Sequence, residues 1–399
     1  MTIDLGDSEA ILAPAAYFAR LRAEGGDVQW SEAQKGWAIL SHAAVEAAFR
    51  DGETLSSDRV GPLQRAAAGR TPEFGKVVEL LSGWMNFRDP PVHTRLREPV
   101  RAAFTPRAVA AMDGEIRGIV SAVLDGLGGA EVSDLSHDFA RPLPALVIAA
   151  LLGVDAKDRA RLQEWSDDLS KIVFALAPGA APEERVTRAT AEFTAFFSAL
   201  IDRERAAPTG TILSAIVRSD VGELGQMELV GACTLLLFGG HETTTTMLVN
   251  AIGTLLARPD LLEWMRAHPE SDAAAVEEFM RVGAPGRTMV RKVKAPHERG
   301  GQRLEPGQNV FLSIASANHD DSVFSEPGEI RLDRDPNPQL GFGWGLHYCL
   351  GANLARLELQ IALRALIERF PALRAAEPVP PPRASALGFG RRPLKALLR

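Results

Sequence analysis

Phe342-Gly343-Trp344-Gly345-Leu346-His347-Tyr348-Cys349-Leu350-Gly351 is the stretch that decides how this 399-residue chain is read. Its glycines allow backbone dihedrals that a side chain forbids and let the chain approach something flat and closely packed. A helical pattern over 352–370 comes directly after it, so Cys349 stands just before a helix N-terminus. There, unpaired N–H groups and the positive end of the dipole favour thiolate over thiol. The other cysteine, Cys233, is distant and no Cys-x-x-Cys spacing exists, which argues against a zinc site and a secreted disulfide scaffold. A soft thiolate presented alone suits a metal whose remaining ligands come with its cofactor, and haem is such a cofactor. Two alternatives stay open on these residues. Cys349 is a small buried hydrophobe, or it pairs with His347 in a cysteine hydrolase, although residues two apart in a tight loop seldom form a nucleophile–base pair.

Outward from the loop, composition narrows the class. With 46% hydrophobic and 24% charged residues the chain is an ordinary globular sequence, long enough to bury a large core without disulfide or metal staples. The 44 basic and 51 acidic residues leave a net charge of −7 with no basic block, so nucleic acid is a poor partner. Neither a signal peptide nor a membrane anchor is visible in the first thirty residues, and the apolar run 229–240 is too short to span a bilayer. A cytoplasmic protein is expected, with no membrane association.

Apolar residues recur at helical spacing over 14–23, 43–50, 107–127, 156–174, 182–205 and 272–282, while 28–30, 37–40, 290–293, 309–313 and the tail after Pro382 read as short strands. The expected fold is mainly α with small β-sheets, an α+β chain. A single domain over 1–399 is predicted, its β-rich corner formed by the N-terminal, 290–315 and C-terminal segments. A long helix over 227–257 carries an odd centre, Phe238-Gly239-Gly240-His241-Glu242-Thr243-Thr244-Thr245-Thr246, where glycines and hydroxyls weaken and can bend an apolar helix. Glu-x-x-Arg occurs three times, at Glu98/Arg101, Glu263/Arg266 and Glu278/Arg281. As an exposed pair it contributes only about 0.2 to 0.5 kcal/mol. Asp89-Pro90-Pro91-Val92-His93-Thr94-Arg95-Leu96-Arg97 places His93 and Arg97 on one face of a helix, two donors that suit an anion.

Together these motifs resemble the cytochrome P450 family, whose proximal loop reads Phe-Gly-x-Gly-x-His/Arg-x-Cys-x-Gly, matched here from Phe342 and Gly343 to Gly351. The resemblance implies a fold in which the long helix crosses a haem b, with the Cys349 thiolate on the iron and dioxygen as cosubstrate; thiolate ligation in this family favours O–O cleavage. It implies that Glu242 and Thr243 deliver protons to dioxygen beside Gly239, and that His93, Arg97, Arg291 and His347 bind the haem propionates. Glu278 and Arg281 correspond to the family's buried pair supporting the cysteine loop.

The function implied by the resemblance is a monooxygenase that inserts one oxygen atom into a C–H bond of a small, largely apolar organic substrate, by hydroxylation or oxidative demethylation. With no reductase segment in the chain, electrons are expected from a ferredoxin and its reductase, and Arg101, Arg356 and Arg364 are candidates for that docking face. A monomer is expected. By family analogy the substrate meets Trp84, Met85, Phe174, Leu235, Phe238, Arg287 and Leu387, of which Arg287 is a candidate anchor for a carboxylate. Two other functions share these residues: a peroxide-driven peroxygenase, against which the Glu242-Thr243 pair argues, and a haem sensor or carrier, which needs no proton relay.

Overall fold

A computed structural model describes residues 3–67, 72–159, 161–162, 164–165, 183–390 and 392–399. They gather into two compact units. The first is built from Met1–Ser56, Val120–Ala140 and Thr243–Arg399, the second from Ser57–Ile119 and Arg141–Glu242. The long helix Gln226–Ala257 is unbroken through its glycines and threonines, and the division falls within it.

The first unit holds the β structure. Strands Val28–Ser31, Gly36–Ile39, Asn309–Ser313, Thr288–Val293 and Leu55–Ser56 lie in that order in one sheet. Pairing is antiparallel except between Gly36–Ile39 and Asn309–Ser313, which run parallel. Gly36 is needed there, because a Cβ would stand 2.6 Å from the Asn309 carbonyl oxygen and 2.7 Å from the Phe311 ring. The hairpin is stapled by Trp30 and Trp37, directly paired, with ring centroids 5.4 Å apart. The C-terminal strands form small sheets of their own. Lys395–Leu397 pairs with Arg374–Ala375 and with Val132–Asp134, while Arg383–Ala384 pairs with Phe389–Gly390. A single bridge, Gly286 to Gly388, links tail and strand region.

Helices begin where short polar residues can accept orphan N–H groups: Ser41 caps His42–Arg50 and Thr211 caps Ile212–Val217. The helix expected over 107–127 is two helices, Pro106–Ala110 and Asp113–Leu127, because the Met112 N–H turns back to the Val109 carbonyl at 3.0 Å. Of the expected 156–174 helix, most lies outside the described residues. Among those described, no helix is long and apolar enough to cross a membrane.

Candidate active site

In the first unit the cysteine loop closes on itself. The Cys349 N–H donates to the Phe342 carbonyl at 2.9 Å, the Tyr348 N–H to Gly345 at 3.0 Å, and the Gly343 N–H to Leu340 at 2.8 Å. Gly343 and Gly345 sit at φ +71 and +67, where any other residue is strained, so the glycines set the loop's path. Cys349 is exposed, followed directly by the helix Ala352–Arg369, and nothing lies within 4 Å of where a Cβ on Gly351 would point. Cys233 is its opposite: buried in the apolar half of the long helix, its thiol pushed up to about 12 by desolvation, it is a packing group.

Only one of the three Glu-x-x-Arg pairs is buried. Side chains of Glu98/Arg101 and Glu263/Arg266 are 35%/60% and 69%/23% exposed, whereas those of Glu278 and Arg281 are both at 0%. Arg281 Nη2 and Nε donate to the two Glu278 oxygens at 2.7 and 2.8 Å, and its remaining N–H groups reach the carbonyls of Asn318, Pro327 and Glu329 at 2.8 to 2.9 Å. Burial pushes the Glu278 carboxyl up, but the bonds and charge of Arg281, the Arg331 N–H and the Arg334 charge outweigh it and hold it below its ordinary range. Arg334 is the member that sequence reasoning missed: it is buried, with Nε 3.0 Å from Glu278. No spacing signals a partner 56 residues away. Asn318 carries the pair's order onward. Its amide donates to the Arg281 carbonyl at 3.0 Å, its oxygen accepts the Leu340 N–H at 2.8 Å, and the Leu340 carbonyl holds Gly343 of the cysteine loop.

Arg291, on the strand Thr288–Val293, is half-buried with its guanidinium 5.8 Å from the Phe49 ring centroid; His347 is half-buried on the turn Gly345–His347. Thr243 is exposed while Thr244, Thr245 and Thr246 are buried. Arg287 departs from expectation. It is 3% exposed, donates to the Ala10 carbonyl at 2.7 Å and stacks 5.2 Å from the Phe389 ring, and desolvation lowers it to about 10. Its guanidinium is thus held by the protein in part, since the buried Nε has no hydrogen-bond partner among the described residues. Leu387 is exposed, its carbonyl accepting the Arg287 N–H at 2.8 Å.

In the second unit the helix Val92–Ala103 carries a fully buried His93 and a half-buried Arg97. Burial, then the Arg97 charge, pulls the His93 imidazole down to about 4. At neutral pH the two are therefore a neutral ring, which still offers one N–H, and a single cation. On the long helix, Gly239 has open space where a Cβ would point, but a Cβ on Gly240 would stand 2.3 Å from the Ile148 Cδ1. His241 is buried with Nε2 3.1 Å from the Arg141 carbonyl oxygen, and the Glu242 side chain is 21% exposed. Trp84 and Met85 are buried; the Trp84 ring lies 5.2 Å from that of half-buried Phe238, and its N–H donates to Thr234 at 3.0 Å. Leu235 is half-buried on the same helix. Phe174 lies outside the described residues.

Cys349, His347, Phe342, Gly343 and Gly351 thus share one loop tied to Glu278 and Arg281, in the same unit as Arg291 and Thr243. His93, Arg97, Gly239, Glu242 and the aromatic pocket residues belong to the other.

A mainly helical chain with a cysteine on a self-closed glycine loop, tied to a buried Glu–Arg pair, fits a haem-thiolate protein class, and comparison with known proteins agrees. Residues 273–399 match the family model described as Cytochrome P450. A cytochrome P450 of Bacillus subtilis is 36% identical over 92% of this chain and 90% of its own length. The 6-deoxyerythronolide B hydroxylase of Saccharopolyspora erythraea is 38% identical over 85% of this chain and 84% of its own. Among solved structures, P450BioI in complex with a hexadec-9Z-enoic acid ligated acyl carrier protein superposes with a TM-score of 0.86 at 29% identity, covering 98% of this chain and all of that one. The chain belongs to the cytochrome P450 family. It is a haem-thiolate monooxygenase that uses dioxygen, acts on an organic substrate and depends on redox partners. The donor set fits the cofactor: a single thiol held on a self-closed glycine loop suits an iron whose other ligands come with its macrocycle.

Proposed function

We propose that Cys349 would hold the iron of a haem b and that residues 1–399 act as one oxygenase domain, which inserts one atom of dioxygen into a C–H bond of a small, largely apolar molecule. The observation that carries this is the exposed Cys349 on a self-closed glycine loop, against the buried, proton-retaining Cys233. When bound, thiolate-ligated haem supplies the redox chemistry that cleaves the O–O bond. Arg291 and His347 in the first unit, and Arg97 with His93 in the second, would be the donors to its carboxylates, the arginines giving charge-assisted bonds. Consecutive on one helix, Thr243 Oγ1 passes on a proton and recovers one through water from the half-buried Glu242 carboxyl. Open space beside Gly239 leaves room for the substrate, and Trp84, Met85, Leu235 and Phe238 supply apolar surface of the kind such ligands need. Arg287, already donating to Ala10, adds packing. Arg101, Arg356 and Arg364, the candidates for the ferredoxin face, are paired with Glu98, Glu277 and Asp272, and Arg101 is the most exposed of the three.

The test is the optical spectrum of the purified protein, reduced under carbon monoxide. A red-shifted thiolate band is expected, abolished in Cys349→Ser and unchanged in Cys233→Ala; its absence from the parent overturns the assignment. Thr243→Ala is expected to keep haem and substrate binding while diverting NADH-derived electrons, delivered by a ferredoxin pair, to peroxide. Fully coupled turnover in that variant removes the proton role.

A further inference from the structure

Glu277, the residue before the buried Glu278, has no part in the motifs above, yet it faces both ends of the cysteine loop. On the upstream side Gln339 Nε2 donates to it at 2.9 Å, and Gln339 Oε1 accepts the Gly341 N–H at 2.5 Å. On the downstream side Arg356, in the second turn of Ala352–Arg369, donates Nε and Nη2 to the Glu277 oxygens at 2.5 and 3.1 Å. The same guanidinium lies 4.3 Å from the Phe342 ring centroid and donates Nη1 to the Tyr348 hydroxyl at 3.2 Å. Phe342 and Tyr348 are the two aromatic residues that bracket the loop, and Phe342 supplies the carbonyl held by the Cys349 N–H.

We propose that Arg356, oriented by Glu277, is a positioning residue that clamps Phe342 to Tyr348 and so fixes the direction in which Cys349 presents its sulphur. This rests on the reading that Cys349 would hold the haem iron. A planar fork is required, since one face must stack on a ring while three N–H groups bond two partners; an ammonium is unable to do both. Because Glu277 neutralises the charge, the clamp acts through geometry rather than through a net field. Loosening it frees the loop to turn the sulphur away, so thiolate ligation should be lost faster when the iron is reduced.

Arg364 provides the control. Two turns further along the same helix it makes an equally good fork, Nε and Nη2 to Asp272 at 2.9 and 2.6 Å, without touching the loop. In the reduced, carbon-monoxide-bound holoprotein under mild urea, Arg356→Gln is expected to lose the red-shifted band about tenfold faster than the parent. Arg356→Lys should fall between the two, and Arg364→Gln should decay at the parent rate although its thermal midpoint drops. Equal decay in Arg356→Gln and Arg364→Gln overturns the clamp and leaves a common stability effect. Should Arg356→Gln yield no folded protein, Arg356→Lys against Arg364→Gln decides by the same criterion. A parent without the red-shifted band instead refutes the ligand assignment beneath it.

Discussion

Glu263–Arg266 and Glu278–Arg281 are the same four-residue pattern on consecutive helices, Pro259–Ala267 and Asp272–Gly283, and they do opposite things. The first pairs an exposed Glu263, for which water competes, with a half-buried Arg266. The second is sealed from solvent, and its carboxylate gathers Arg281, Arg334, Asn337 and the Arg331 N–H. A buried charge is tolerated only when every lone pair and N–H is answered, and that demand is what makes the inner pair an organiser of the chain around Asn318 and Leu340. Motif identity therefore says little; the surroundings assign the role.

Removing one partner should separate the two pairs most widely. Glu278→Ala strands two buried guanidinium groups and is expected to cost about 3 to 5 kcal/mol in urea unfolding, or to prevent folding. A loss below about 1 kcal/mol would mean that burial does not distinguish the pairs. Next in size is a buried carboxyl with no cation at all. Glu358, on Ala352–Arg369, is 2% exposed with one oxygen unpartnered, and burial pushes it up to about 8. Folded protein then keeps a proton that the unfolded chain releases near the ordinary value of 4.5, so this contribution is full below 4.5 and is lost as pH rises through 8. Glu358→Gln should remove that slope and gain on the order of 2 kcal/mol over the parent near pH 9. Parallel pH profiles of the two proteins would place Glu358 among answered carboxylates. Glu278 has the opposite sign, its support being present above 4.5 and lost only in stronger acid. The smallest effect belongs to Glu263→Ala, expected within about 0.5 kcal/mol in the same unfolding measurement.

Legibility in the sequence tracked locality. The cysteine loop could be read residue by residue, because its turn, its glycines and the helix after it act within ten positions. Hairpin strands near Trp30 and Trp37 were visible for the same reason. Arg334 was not, since its link to Glu278 is created by the path of the chain between them. Arg287 was expected at the surface or on substrate; only packing revealed that Ala10 and Phe389 enclose it. The helix Pro142–Leu151, apolar on all sides and almost wholly buried, carries no amphipathic period by which to find it.

By itself, then, the sequence determined the chemistry on offer: one cysteine before a helix N-terminus, a Glu-Thr pair on a long helix, a mainly helical chain with a β minority. Tertiary structure decided which of the repeated patterns matters, by withdrawing water from Glu278 while leaving Glu98 and Glu263 in contact with it, and by burying His93 and Glu358. Charge, acidity and reactivity depend on the dielectric around a group and on the partners that answer it, and neither is a property of neighbours in sequence.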